Sequence, residues 1–320
     1  MTTYKEVFKK SFKLAWKPKS IWIYGLFASF LGIGGSVAKS MDLTGSRNIL
    51  INLLQTLIEV NFFSLQALKN IPTVFAQSPI SVTISVLIFL IVTVLTIILL
   101  ILAIVSQSTL INTIYKKSIG KKVSYIEGIS FGLNNFWPIL GLNVITRAVG
   151  FIAFMFLVYV VAASRPSLFV PLGIIYIILV LITVVISFVI RYATCHLVIN
   201  GDTFKNSLHK GKELFLSNWL ITFEVALMLL IIQMVFVFLL YLLIKIDTFV
   251  LYIIFVATNL LQAAGASNFV LFLVLFTVTL ITLLFLSFFT VLAWSVWTEL
   301  TLELEKGNIT SKIKSWLKIA

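Results

Sequence analysis

The chain has 320 residues, 60% of them apolar or aromatic and only 11% charged, with a mean hydropathy of +1.12. Soluble domains carry about 25% charged residues; here there is too little polar surface to coat a globule, and an integral membrane protein is expected. One cysteine, Cys195, and two histidines, His196 and His209, exclude a disulfide scaffold and count against a zinc cluster, so no metal or cofactor is expected.

The segment before the first apolar run repeats an aromatic residue every four positions, at Tyr4, Phe8, Phe12 and Trp16, with Lys5, Lys9, Lys10 and Lys13 on the other faces. That is the pattern of an amphipathic helix lying in a membrane interface. A hydrocarbon core needs about 20 apolar residues to cross, and residues 20–38, between Lys19 and Lys39, supply the first predicted span. The lysine-rich start and Ser36-Val37-Ala38 also have the outline of a cleaved signal peptide. An insert over about 40–79 follows, in which Asn48, Asn52, Gln55, Thr56 and Glu59 share one helical face. Span two lies in the uncharged stretch 70–115, starting near 80.

Span three begins at Trp137-Pro138 and runs to about 163, interrupted by Arg147. A tight turn through Ser164-Arg165-Pro166-Ser167 leads to span four, 166–190. Span five covers about 218–244, interrupted by Glu224. The stretch 248–298 is uncharged and too long for one span; Gly265 sits in a break, Ala263 to Asn268. Span six is assigned to 269–298, and 249–262 to a short apolar segment at, or dipping into, the outer surface. Seven spans is the competing count.

The basic residues choose between the counts, because Lys and Arg concentrate on the cytoplasmic side. With six spans and both termini inside, 18 of them fall on inner segments and five, Lys39, Arg47, Lys69, Arg165 and Lys245, on outer ones. A seventh span would move the last four lysines outside. Tryptophan favours the headgroup level, and all seven, Trp16, Trp22, Trp137, Trp219, Trp294, Trp297 and Trp316, fall near predicted inner boundaries. The net charge of +13 therefore reads as orientation in a cell membrane and not as a nucleic-acid footprint.

Three segments are alike. Thr3 to Ser11 leads through Trp16 into span one, Ser124 to Gly132 through Trp137 into span three, and Thr203 to Gly211 through Trp219 into span five. Each opens with a hydroxyl residue suited to an N-cap and continues aromatic, two variable, a small or β-branched residue, apolar, two variable, then Ser or Gly. The expected architecture is all-α: one membrane domain, 1–320, built as three repeats of an inner amphipathic helix plus a two-span hairpin. Repeat one covers 1–120, repeat two 121–200, and repeat three 201–306 with an outer segment near 248–266; residues 307–320 form a short cytoplasmic tail. Signal cleavage would remove one helix and span of this pattern, which counts against it.

Phe12 to Leu26 (FKLAWKPKSIWIYGL), Ser106 to Ile111, Gly132 to Trp137 and Trp294 to Leu304 together resemble the membrane domains associated with bacterial glycerophosphoryl diester phosphodiesterases. In that family the hydrolase is a separate barrel domain. The resemblance therefore implies a six-span membrane module and carries over no catalytic residue.

The candidate polar site is intramembrane. A charge at bilayer depth costs about 2.5–3.5 kcal/mol on the insertion scale and normally faces protein or water with a partner. Arg147 and Glu224 both fall in the inner half, at related places in the repeat, and Asn143 lies one turn before Arg147 on the same face. A structural ion pair, a cleft for a lipid headgroup or anionic solute, and snorkelling side chains are all open. Gln107 and Asn112, with Ser108 and Thr109, suit an inner vestibule or bonds between helices. Gly128 and Gly132 fit a close helix contact. Gly32-Ile33-Gly34-Gly35 lacks the strand–loop–helix setting of a nucleotide loop, and Cys195-His196 lacks a partner for nucleophilic chemistry. Glu299, Glu303 and Glu305 are expected to meet inner lysines or solvent.

Without paired carboxylates or a metal-ligand cluster, an enzyme is the weakest expectation. The reading adopted is a non-enzymatic, lipid-associated or accessory membrane module. Its expected partners are membrane lipids, chiefly anionic inner-leaflet phospholipid drawn by Lys5, Lys9, Lys10 and Lys13, with an unidentified protein partner also open. The alternative is a transporter or lipid-handling protein with a polar cleft around Arg147 and Glu224.

Overall fold

A computed structural model describes residues 4–17, 21–31, 79–121, 125–162, 169–260 and 266–307. Among them every regular element is an α-helix: α1 (Tyr4–Trp16), α2 (Ile21–Leu31), α3 (Pro79–Ser118), α4 (Tyr125–Asn134), α5 (Phe136–Ala162), α6 (Phe169–Asn200), α7 (Phe204–Ser217), α8 (Trp219–Leu260) and α9 (Ala266–Glu305). Five of these, α3, α5, α6, α8 and α9, contain stretches long and apolar enough to cross a membrane, and α2 is a shorter apolar helix. The protein is an all-α, multi-pass membrane protein. The 40–79 insert up to residue 78, the 164–167 turn and the tail beyond 307 lie outside the described residues.

These sequences are rich in Ile, Val and Phe, poor helix formers in water, yet they are helical. In hydrocarbon every backbone group must be satisfied within its own segment, and the helix does that. Hydroxyls on the apolar helices obey the same rule: Thr93 donates to Phe89 O, Thr183 to Leu179 O and Thr282 to Val278 O, at 2.7–2.8 Å. The expected outer segment at 249–262 is not separate. Residues 219–260 contain neither Gly nor Pro, so α8 continues unbroken to Leu260. Its 42 residues span about 63 Å, twice the roughly 30 Å of a hydrocarbon core.

Met1–Ala28 with Ile104–Ala320 form one compact unit and Ser29–Ala103 another. In the second, α3 presents an exposed apolar surface from Val86 to Leu102. In the first, α5 packs on α6 and α8 on α9 as hairpins. The buried core lies at one end of these hairpins. Leu110, Ile111 and Ile114 of α3, Tyr192, Cys195 and Leu197 of α6, and Val291, Val296, Trp297 and Leu300 of α9 are all buried, whereas the apolar stretches of α6, α8 and α9 are 6–11% buried.

Against this end rest the three short helices α1, α4 and α7, and small residues decide how closely. A Cβ on Gly211 of α7 would stand 2.7 Å from Ala193 N and 2.8 Å from Val189 O of α6. On α4, a Cβ at Gly132 would stand 2.7 Å from Val105 O of α3, and Thr109 donates to Gly128 O at 2.8 Å. α1 packs on α9 through the buried Val7, Ser11 and Ala15. The expected aromatic stripe is therefore not the buried face: Phe12 and Trp16 are exposed, because close approach of helix backbones selects small side chains.

Candidate functional site

Among the described residues, the end where α1, α4 and α7 gather holds most of the buried core and most of the buried polar side chains. Gln107, Ser108, Thr109 and Asn112 of α3, Thr194 and His196 of α6, and Ser295, Thr298, Glu299 and Thr301 of α9 are buried. The helices stop abruptly here. After α3, Gly120 N donates to Lys117 O at 3.1 Å and Lys121 N to Lys116 O at 2.8 Å, with Gly120 at φ 76°, a Schellman closure. Gly201 and Gly307, just past α6 and α9, share that left-handed backbone. These terminators went unrecognised in the sequence, where a Gly one or two residues after Asn200 and Glu305 was the available signal.

Charges then tie the helices together. Lys10 Nζ lies 2.7 Å from Glu299 Oε2 and donates to Ser118 Oγ at 2.8 Å, joining α1 to both α9 and α3. His196 Nδ1 is 3.1 Å from Glu305 Oε1, and Asn200 donates to the same oxygen at 3.2 Å. The expectation that the α9 glutamates meet lysines or solvent thus needs a third partner, a buried histidine. Beneath them the Arg191 guanidinium lies 5.0 Å over the Trp297 ring, which Tyr192 meets edge-on. Trp297 is 1% exposed. Unlike Trp137 and Trp219, which are exposed, it is a core residue and not a headgroup-level anchor. A second aromatic cluster, Phe12, Trp16, Trp22 and Phe236 around Phe288, joins α1, α2, α8 and α9. Trp22 Nε1 also donates to Ala15 O at 2.8 Å, tying α2 to α1.

The intramembrane candidates are placed as follows. Asn143 donates to Gln107 Oε1 at 2.9 Å, bridging α5 and α3. Gln107 and Asn112 are each 3% exposed, so in this conformation neither lines an open vestibule. Arg147 is exposed on α5 and Glu224 half-buried on α8, and among the described residues no ion pair joins them. Lys5, Lys9, Lys10 and Lys13 are exposed along α1. Thr203 occupies the N-cap of α7 in extended backbone but makes no side-chain capping bond; the neighbouring Asp202 instead takes Lys210 and Asn206. Thr3 and Ser124 lie outside the described residues.

Chemically, this end offers cations at its surface and buried polar groups within, of which Ser108 Oγ, Asn112 Nδ2, His196 Nε2 and Ser295 Oγ have no hydrogen-bond partner among the described residues. Cys195 is fully buried against the hydroxyls of Thr298 and Thr301. No group of three or more His, Cys, Asp or Glu side chains able to hold a metal occurs among the described residues. No known protein family, curated protein or solved structure matches this chain.

Proposed function

We propose that this protein is a non-enzymatic, multi-pass module of the cell membrane, with both termini in the cytoplasm, that associates with anionic lipid of the inner leaflet. The observation that carries this reading is the three-sided character of α1. One face, Val7, Ser11 and Ala15, is buried. One flank bears Lys10 and Lys13, followed by Lys17 just past the helix, and the other the exposed rings of Phe12 and Trp16 with Lys5 and Lys9 beside them. A helix docked on its scaffold by one face, with exposed rings and cations along the others, suits the headgroup layer. Each lysine near an anionic surface contributes about 1 kcal/mol.

The six-span, threefold plan belongs to the same proposal, with α2 as the described part of span one. It is supported by how the interfacial helices rest. α4 meets the end of α3 and α7 the end of α6, in each case the outgoing helix of the preceding repeat. α1 meets the end of α9, so the first copy rests on the last. Membership of the phosphodiesterase-associated membrane domains is the kinship we propose for it.

Lipid analysis tests the reading. Native nanodiscs cut around the wild-type chain should be enriched in anionic phospholipid over the surrounding membrane. Replacing Lys5, Lys9, Lys13 and Lys17 together by Gln should return them to bulk composition. Wild-type discs of bulk composition would refute lipid association.

A further inference from the structure

We propose that the groove between α1 and the end of α3 is a discrete site for the phosphate of an anionic lipid headgroup, held by Lys13, Lys17 and Lys117. The proposal rests on the lipid-associated reading above and narrows it from a charged surface to one site. The groove has a volume of about 440 Å3 and is lined by Lys10, Lys13, Leu14, Lys17, Lys117 and Ser118. Among the described residues, its charged lining is wholly cationic. Lys10 is already engaged by Glu299 and Ser118. Lys13, Lys17 and Lys117 take part in none of the ion pairs among the described residues.

A neighbouring hollow sets the contrast. It has about 410 Å3 and shares Lys10 and Lys13, but its lining includes Glu6, Glu299 and Glu303 against three lysines, so its charge is balanced from within. In the α1–α3 groove the cations repel one another with no acid among the described lining residues, and an anion between them would relieve that repulsion. Lysine ammonium groups suit a phosphate, whose several oxygens can accept from separate point-charge donors. The Schellman closure helps as well: it occupies the carbonyls of Lys116 and Lys117, which would otherwise face an anion at the negative end of α3. The lipid is favoured over a free phosphate because the exposed ring of Trp16, next to Lys17 in sequence at the end of α1, suits the headgroup level.

The test is native mass spectrometry of the full chain, delipidated in neutral detergent and titrated with phosphatidylglycerol, with phosphatidylcholine as control and inorganic phosphate as competitor. One phosphatidylglycerol should bind well ahead of any phosphatidylcholine. Lys117→Gln and Lys17→Gln should each weaken that first binding about five- to tenfold, and Lys212→Gln, at an exposed position of α7 outside the groove, should leave it unchanged. Lys117→Arg keeps the charge and should keep the binding, which separates loss of a ligand from loss of fold. Displacement of the lipid by an equal concentration of inorganic phosphate would overturn the lipid assignment in favour of a soluble anion. Wild-type binding by Lys117→Gln would overturn the site itself. Anionic enrichment of the wild-type nanodiscs would survive that result if only the discrete site is wrong, and would be absent if lipid association itself is wrong.

Discussion

Lys10 and Glu299 form an unequal ion pair, 2.7 Å between Nζ and Oε2: the Glu299 side chain is 1% exposed, while that of Lys10 is 45% exposed. The cation reaches in from α1 to neutralise a charge carried into the core by α9. Docking of α1 therefore has an electrostatic element as well as a steric one. Removing Lys10 strands a buried carboxylate, whereas Glu299→Gln removes the charge and leaves a solvated lysine. We expect Lys10→Ala to destabilise by about 1–3 kcal/mol and Glu299→Gln by less, with the double variant recovering part of the loss. Thermal unfolding in detergent, followed by tryptophan fluorescence, reads all three; a strictly additive double variant would contradict the pairing.

Glycine positions separate contact from mere helix propensity. At Gly211 and Gly132 a methyl group would meet backbone atoms at 2.7 Å, whereas at Gly150 it would meet nothing within 4 Å. Gly211→Ala and Gly132→Ala should each lower stability by about 1–3 kcal/mol through forced separation of the helices. Gly150→Ala should be neutral or stabilising by up to about 1 kcal/mol. The same unfolding assay distinguishes them, and equal effects at the three sites would count against this packing.

Two double-mutant cycles address the intramembrane polar residues. Gln107 and Asn143 share a direct bond, so Gln107→Leu and Asn143→Leu should be coupled by about 0.6–1.7 kcal/mol. Arg147→Ala and Glu224→Ala should be additive within about 0.5 kcal/mol, since no ion pair joins these residues. Strong coupling in the second cycle would instead favour the polar-cleft, transport or lipid-handling alternative, and an uptake assay on Arg147→Ala would then be the next measurement.

Topology is open to thiol labelling. Cys195 is fully buried, so the wild-type chain should resist a membrane-impermeant maleimide until it is denatured. Lys121→Cys and Lys306→Cys, both at exposed positions, should react only once the cytoplasmic side is opened. Reaction of either in intact cells would reverse the proposed orientation.

Much of the architecture was legible in one dimension. Uncharged runs of about 20 residues or more can hardly avoid becoming helices in hydrocarbon, because no other local structure satisfies their backbone. Composition therefore determined the helical, multi-pass fold and placed most helix starts, such as Phe136 before Pro138 and Trp219 after Asn218, within a residue or two. Where the long apolar stretch after Glu224 stopped being one helix was less legible, since a run of Ile, Leu and Phe reads alike inside and outside a 30 Å layer. Only the tertiary structure decided which face of α1 is buried, that Trp297 is core, and that Lys13, Lys17 and Lys117 border one groove. Those are matters of approach distance between helices far apart in sequence. Hydropathy records whether a side chain avoids water, but not which neighbour, at 3 Å, replaces it.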